Sequence, residues 1–202
     1  MDARPSRPSR PGDIMLLLVL GLLVFLGVHT ISTMRPQRAA LVARLGETGY
    51  KAAYSIGSAI GLALIIYGFG AYRASGYIPV WEPPTGLRHA ASLLMWPAFV
   101  ALAAAYAPAG LIKGKLKHPM LVGVKAWALA HLLANGDLGS ILLFGSFLGW
   151  AVYDRISVKR RGDLGAPPAP FGKGDVIALV VGSAAFLAML KLHGWLIGVS
   201  IF

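Results

Sequence analysis

Six long apolar segments, joined by short polar connections, constrain this chain more than any other feature of its sequence. The segments cover approximately residues 14–33, 52–72, 89–107, 116–135, 138–153 and 175–202. A helix of about 20 residues, rising about 1.5 Å per residue, crosses a hydrocarbon core of about 30 Å. Segments of this kind must be helical in lipid, because lipid offers no partners to backbone N–H and C=O groups. The sequence therefore predicts an all-α, polytopic transmembrane helical bundle with about six spans.

The composition excludes an ordinary soluble domain. Apolar residues make up 56% of the 202-residue chain and charged residues only 13%, whereas soluble domains carry about 25% charged residues. The chain contains no cysteine, which excludes disulfides, thiolate metal sites, iron–sulfur clusters and cysteine nucleophiles. Its net charge of +11 comes mainly from the connections between the apolar segments, so it indicates membrane topology and contact with lipid rather than nucleic-acid binding.

The distribution of Lys and Arg predicts the orientation of the spans. The connections on one side of the predicted bundle carry twelve of these residues: Arg35, Arg38, Arg44, Lys51, Lys113, Lys115, Lys117, Arg155, Lys159, Arg160, Arg161 and Lys173. The connections and terminus on the other side carry five: Arg4, Arg7, Arg10, Arg73 and Arg88. The positive-inside rule then places the first, third and fifth connections in the cytoplasm and both termini outside.

The polar joints between segments predict the domain organisation. Spans four and five are separated only by Asn135, Gly136 and Asp137, which adopt turn conformations readily, so a tight hairpin is expected there. Residues 1–13 are rich in Pro, Arg and Ser and are expected to form a disordered basic tail. Residues 14–202 are expected to form a single transmembrane domain.

Ionisable side chains inside the apolar segments are the main functional candidates, because burying a charge in a membrane costs at least about 2.5 kcal/mol. Five lie within segments and two at segment edges: His29, Lys125, His131, Lys191 and His193, then His89 and His118. Lys125 lies near the middle of its segment, and no Asp or Glu lies inside any segment. A bound haem propionate, carboxylate or lipid phosphate would supply its counter-ion. A tilted span or an aspartate at a span end is the alternative.

Helical geometry limits the metal sites that these residues can form. At about 100° per residue, His118 and Lys125 share one face of the fourth span, while His131 lies about 140° round from His118. His118 and His131 are therefore not expected to bind the same iron or zinc. No histidine pair has i, i+4 spacing and none is accompanied by a carboxylate, so a zinc hydrolase is poorly supported.

Several stretches of the sequence resemble one known family. They are FLGVHT, ARLGETGYKAAYSIGSAIGLALIIYGF, LRHAASLLMWPAF, LKHPMLVGVKAWALAHLLANGDLGSILLFGSFLGWAVYDRIS and LHGWLIGVSIF. Together they resemble the NnrU family of bacterial membrane proteins, most specifically between Leu116 and Ser157. The resemblance implies an integral inner-membrane protein associated with denitrification, that is with nitrite and nitric oxide reduction, and with denitrification reductases as partners. It implies no defined activity, so whether the chain is an enzyme stays open.

The same architecture is similar to that of plastid 15-cis-zeta-carotene isomerase, a relative that holds a b-type haem between histidines. This similarity places the two iron ligands on His29 in GVHT and His131 in WALAH, and Lys125 could meet a propionate. The relative has a cysteine three positions before its second histidine, where this chain has Ala128, so an exchange of His for Cys on the iron is not available here. By depth in the predicted topology, His29 with His118 would meet more easily, so His118 stays a competing ligand.

Two alternatives to a haem protein remain open at this point. One is a non-catalytic assembly or regulatory membrane protein for nitrite and nitric oxide reductases, whose histidines only pack. The other is a membrane S-adenosylmethionine-dependent methyltransferase, because KHPML is distantly similar to the RHPxY segment of isoprenylcysteine and phospholipid methyltransferases. In this chain Lys117 replaces the arginine and Leu121 replaces the tyrosine. His118 and Pro119 also have an ordinary explanation, since proline favours the first turn of a helix.

Overall fold

Seven α-helices form the fold of residues 11–199 and 201, which are the residues that the computed structural model describes. In chain order they are α1 (Pro11–Thr33), α2 (Arg35–Ala74), α3 (Thr85–Tyr106), α4 (Leu111–Leu116), α5 (Pro119–Ala134), α6 (Leu138–Arg160) and α7 (Lys173–Ile197). Within these residues the only β-type pairing is an isolated antiparallel bridge between Pro79 and Asp137. The predicted all-α fold is confirmed.

Five of the helices, α1, α2, α3, α6 and α7, are long and apolar enough to cross a membrane. The fourth predicted segment corresponds to α5, a shorter apolar helix of 16 residues with a length of about 24 Å. It begins at Pro119 rather than near residue 116, because Lys117 has a φ of 62° and interrupts the helix. The predicted connection of residues 135–137 between α5 and α6 is confirmed.

The second helix differs most from its predicted bounds. The sequence predicts a span over residues 52–72, whereas α2 has 40 residues and starts at Arg35. Pro36 lies in its first turn, where the missing N–H of proline costs nothing, and the alanines that follow are good helix formers. Gly46, with φ 72° and ψ 164°, breaks the helix between a charged arm, residues 35–45, and the apolar part that follows. The first connection predicted from charge is therefore largely helical.

The contacts of the described residues divide them into two compact units. Unit 1 contains the residues up to 81 together with 137–146, and unit 2 contains residues 82–136 together with those from 147 onward. The single transmembrane domain expected over residues 14–202 stays a prediction. Most of the predicted tail lies outside the described residues, and its last three residues begin α1.

In unit 1, α1 and α2 pack with their backbones in direct contact. A Cβ atom added to Gly68 would lie 2.6 Å from the nitrogen of Leu18, and one added to Gly61 would lie 2.7 Å from the nitrogen of Phe25. A Cβ atom on Gly21 of α1 would come equally close to the backbone of α2. Small residues at such positions let membrane helices approach closely and gain van der Waals contact along their length.

A buried tyrosine fixes the connection that follows α2. The side chain of Tyr72 is 1% exposed, and its hydroxyl accepts a hydrogen bond of 2.8 Å from the N–H of Ile78. The carbonyl of Ile78 accepts a second hydrogen bond, 2.9 Å long, from the N–H of Leu138. A Cβ atom on Gly139 would collide with the Tyr72 ring, so this position requires glycine. These contacts join the first turn of α6 to the end of α2.

In unit 2, α3 packs against both α5 and α7. A Cβ atom on Gly123 of α5 would lie 2.7 Å from Cγ of Leu102, and one on Gly182 of α7 would lie 2.6 Å from Cα of Val100. The short helix α4 contacts α3, α5 and α7, so the end of α3 and the starts of α5 and α7 lie together. Both α5 and α7 therefore run antiparallel to α3.

A buried carboxylate joins α4 to α7 at that end of unit 2. Asp175 is 1% exposed, and its carboxylate accepts hydrogen bonds from the backbone N–H groups of Leu111 at 3.0 Å, Ile112 at 2.7 Å and Gly172 at 2.8 Å. Carboxylates are favoured at helix N-termini, where unpaired N–H groups and the helix dipole present positive charge. A Cβ atom on Gly110 would lie 2.6 Å from the same carboxylate, so no larger residue fits there.

Candidate functional site

His29 is a half-buried residue in the second half of α1, in unit 1. Its Nδ1 donates a hydrogen bond of 2.7 Å to the carbonyl oxygen of Phe25, one turn earlier in the helix. Its ring stacks on the Phe25 ring at a centroid distance of 4.2 Å and lies 5.2 Å from the ring of Tyr54 in α2. Because Nδ1 carries the proton, the lone pair of the neutral imidazole is on Nε2.

His131 is a half-buried residue in the last turn of α5, in unit 2. Its Nδ1 donates a hydrogen bond of 2.8 Å to the carbonyl oxygen of Trp127. The Trp127 ring lies 5.2 Å from the imidazole, and the ring of Phe147 meets that indole edge-on at 5.5 Å. His131 therefore has the same tautomer as His29, with its lone pair on Nε2 and an aromatic pair beside the ring.

His193 lies near the end of α7, also in unit 2, and is half-buried. Its Nδ1 donates a hydrogen bond of 2.7 Å to the carbonyl oxygen of Val199. Gly198, with φ 76°, ends α7 in the left-handed conformation and turns the chain so that this carbonyl reaches the imidazole. The sequence identifies His193 as an intramembrane imidazole, but its backbone partner depends on a turn that sequence reasoning missed. Two further candidates from the sequence, His89 and Lys191, are exposed.

Lys125 is half-buried near the middle of α5. It precedes His131 by six residues, which corresponds to about 9 Å along the helix and about 120° round it. Within the described part of the chain, Lys125 makes no hydrogen bond and no ion pair. Its role as the partner of an anionic group stays a prediction.

His118 forms the N-cap of α5 and fixes the loop that precedes α7. Its side chain is 15% exposed, and its Nε2 lies 3.3 Å from the carbonyl oxygen and 3.9 Å from a carboxylate oxygen of Asp163. A Cβ atom on Gly165 would lie 2.8 Å from the same nitrogen. The N–H of Ala166 donates a hydrogen bond of 2.9 Å to the carbonyl of Lys117. The imidazole of His118 thus contacts the polar loop that precedes α7.

The sequence does not predict the backbone conformation of Lys117, the residue that joins α4 to α5. Lys117 has φ 62° and ψ −53°, and the N–H of His118 donates a hydrogen bond of 2.7 Å to the carbonyl of Leu116. Together these features form a γ-turn with positive φ, which is rare and strained for a residue with a side chain. Pro119 comes directly after this turn and begins α5. A lysine carries no sequence signal for such a conformation.

The candidate ligands do not all lie in one part of the fold. His118 and His131 lie at opposite ends of α5, about 20 Å apart along the helix, so they do not share an iron. His29 belongs to unit 1 and His131 to unit 2, and their predicted pairing stays a prediction. Among the described residues, no group of three or more His, Asp or Glu side chains could hold a metal ion. A haem with two imidazole ligands does not require such a group.

A family model described as NnrU protein matches residues 17–201, a range that contains every candidate residue described above. The chain belongs to the NnrU family. The match runs from α1 through α7, so the long apolar helices of both units are features of this NnrU protein and not of an appended domain. No curated protein and no solved structure matches the chain.

Proposed function

We propose that this NnrU protein is an integral protein of the bacterial inner membrane that binds a b-type haem through intramembrane histidines and serves nitrite and nitric oxide reduction. The observation that carries the proposal is the tautomer of its half-buried imidazoles. His29 and His131 each donate Nδ1–H to a backbone carbonyl within an apolar helix, which puts the lone pair on Nε2. Five helices long and apolar enough to cross a membrane support the location.

The residues of this chain fit the requirements of a haem ligand. An imidazole that binds a metal is typically neutral, and its second nitrogen donates to a carbonyl or carboxylate that fixes the ring. His131 meets the second condition, because its Nδ1 donates to the Trp127 carbonyl, and the packed rings of Trp127 and Phe147 limit the positions that its side chain can adopt. The absence of cysteine from the sequence leaves histidine as the strongest iron ligand that the chain offers. When bound, haem supplies one-electron chemistry that no side chain of this protein provides.

The link to nitrite and nitric oxide reduction is supported by family membership. Either role that the sequence leaves open, a redox component or an assembly partner of the reductases, would place the chain beside enzymes of the same membrane. The two roles differ in what the histidines do. A redox component needs His131 as a ligand, whereas an assembly partner needs only the fold.

The haem content of the purified full-length protein, expressed in haem-replete cells, tests the proposal. We expect the wild-type protein to retain haem through detergent purification. His131→Ala should lose more than half of that haem, because a residue that would hold the iron is removed while the helix keeps a good helix former. His89→Ala is the matched control, since His89 is exposed in the same unit and should keep the wild-type haem content. A wild-type protein without haem contradicts the proposal.

Turnover of nitrite and nitric oxide in cells separates the two roles. A denitrifying strain without its own copy of the protein would carry either the wild type or His131→Ala, matched for the amount in the membrane. We expect the wild type to restore turnover and the variant to fail. If both restore it equally, the histidine acts only in packing and the assembly role replaces the haem role.

A further inference from the structure

The carboxyl ends of α5 and α7 bring two intramembrane histidines to nearly the same depth in unit 2. Gly123 of α5 and Gly182 of α7 contact α3 at positions only two residues apart, at Leu102 and Val100 respectively. His131 follows Gly123 by eight residues and His193 follows Gly182 by eleven. At about 1.5 Å per residue, the two histidines lie about 12 Å and about 17 Å beyond this shared level, in the same direction. The difference of about 5 Å is within the reach of two imidazole side chains.

His193 lies on the face of α7 that packs against α3. It follows Gly182 by eleven residues, which places it only about 20° round the helix from that glycine. Two further contacts define this face: the Trp96 indole N–H donates a hydrogen bond of 2.9 Å to Ser183, and the rings of Phe99 and Phe186 lie 6.2 Å apart. The side chain of His193 is therefore directed into unit 2 rather than away from it.

The two imidazoles have matching hydrogen bonds. His131 donates from Nδ1 to the carbonyl of Trp127, and His193 donates from Nδ1 to the carbonyl of Val199. The second bond is not the routine one to the preceding helical turn, because it requires the chain to fold back at Gly198. Both rings consequently hold their lone pair on Nε2.

We propose that His131 of α5 and His193 of α7 are the two residues of unit 2 that would hold the haem iron. This inference rests on the proposed haem function and names the second ligand. The carbonyls of Trp127 and Val199 act as positioning groups, because each fixes the ring of one ligand. His29 of unit 1 would then not be required to hold the iron.

Spin state and reduction potential of the purified holoprotein test this assignment. We expect low-spin, six-coordinate iron in the wild type and complete conversion to high-spin iron in His193→Ala. Added imidazole should restore the low-spin spectrum of that variant, because it replaces the missing ligand. His193→Met should keep low-spin iron but raise its reduction potential, since a thioether ligand favours reduced iron. His89→Ala should match the wild type in every respect.

The outcomes distinguish this assignment from the haem proposal itself. A wild-type protein that never holds haem overturns both. A haem-loaded His193→Ala variant with an unchanged low-spin spectrum and unchanged potential overturns only the ligand pair. If His29→Ala gives high-spin iron instead, the second ligand is His29.

Cross-linking tests the same geometry without haem. The chain has no native cysteine, so the double variant His131→Cys with His193→Cys reports on those two positions alone. A flexible bis-maleimide should join them within one chain, as seen by intact mass. The pair His118→Cys with His193→Cys is the control, because His118 lies at the other end of α5, and it should not be joined. Failure to join positions 131 and 193 contradicts the assignment.

Discussion

The two units of this protein hold apolar helices together in different ways. In unit 1, α1 and α2 meet backbone to backbone at Gly21, Gly61 and Gly68. In unit 2, glycines also pack closely against α3. In addition, charged groups bind the ends of the helices, above all the buried carboxylate of Asp175. Van der Waals contact alone aligns two helices, whereas hydrogen bonds to helix ends also fix where each helix begins. Unit 2 is therefore the better scaffold for a site that needs two ligands at a set depth.

The largest effect is expected where a side chain would enter the helix contact of unit 1. Gly68→Leu places a Cβ atom 2.6 Å from the backbone of Leu18, which cannot move without separating α1 from α2. We expect a loss of about 3 kcal/mol or more in stability, at the upper end for overpacked positions. Thermal unfolding in detergent measures it. Gly70→Leu is the control, since no atom lies within 4 Å of a Cβ at that position, and an equal loss in both variants would contradict the account.

The next effect concerns the buried carboxylate of unit 2. Asp175→Asn keeps the shape of the side chain but removes the charge that accepts hydrogen bonds from the N-termini of α4 and α7. One amide oxygen and an NH2 group cannot accept all of these bonds. We expect a clear drop in the thermal midpoint, smaller than that of Gly68→Leu. The exposed Glu82→Gln should leave the midpoint unchanged, and an unchanged midpoint in Asp175→Asn would refute the anchoring role.

A smaller effect is expected at the end of α3. The ammonium of Lys113 donates hydrogen bonds of 3.0 Å and 2.7 Å to the carbonyls of Ala105 and Ala107, where a helix C-terminus presents negative charge. Lys113→Met should cost about 1 kcal/mol of stability, because these carbonyls lose a charged donor. Lys115→Met, at an exposed position of α4, the helix that also contains Lys113, should cost less than half of that stability. The unfolding free energies of the two variants, measured side by side by chemical denaturation, test this difference.

The smallest effect has the opposite sign. Lys117 has φ 62°, a conformation that glycine adopts without steric penalty. Lys117→Gly should therefore raise stability by up to about 1 kcal/mol. Lys115→Gly, inside α4, should lower it by about 1 kcal/mol, since glycine is a poor helix former. If both glycine variants shift the thermal midpoint downward by the same amount, the turn at Lys117 stores no strain.

The sequence predicts the helices of this fold well where hydropathy alone decides them. All six apolar segments correspond to helices, because lipid-facing backbone has no alternative to helical hydrogen bonds. Residues 35–45 are helical although charged, and hydropathy carries no signal for that arm or for the break at Gly46. The turn at Lys117 is equally invisible, since it depends on contacts with the loop before α7.

The candidate site is predicted at the level of residue type but not of partner. An imidazole in an apolar segment stands out in the sequence, so His29, His131 and His193 are all recognisable as unusual. Which of these histidines lie at the same depth in the fold depends on the glycine contacts of α5 and α7 with α3. The bond from His193 to Val199 depends in addition on the left-handed turn at Gly198. Neither feature has a local sequence pattern.

The reduced-minus-oxidised absorption spectrum of the detergent-purified, full-length wild-type protein from haem-replete cells tests the central claim most directly. The account predicts the Soret and α-band changes of a low-spin b-type haem. A spectrum without any such change would contradict it, and the intramembrane histidines would then act only in packing.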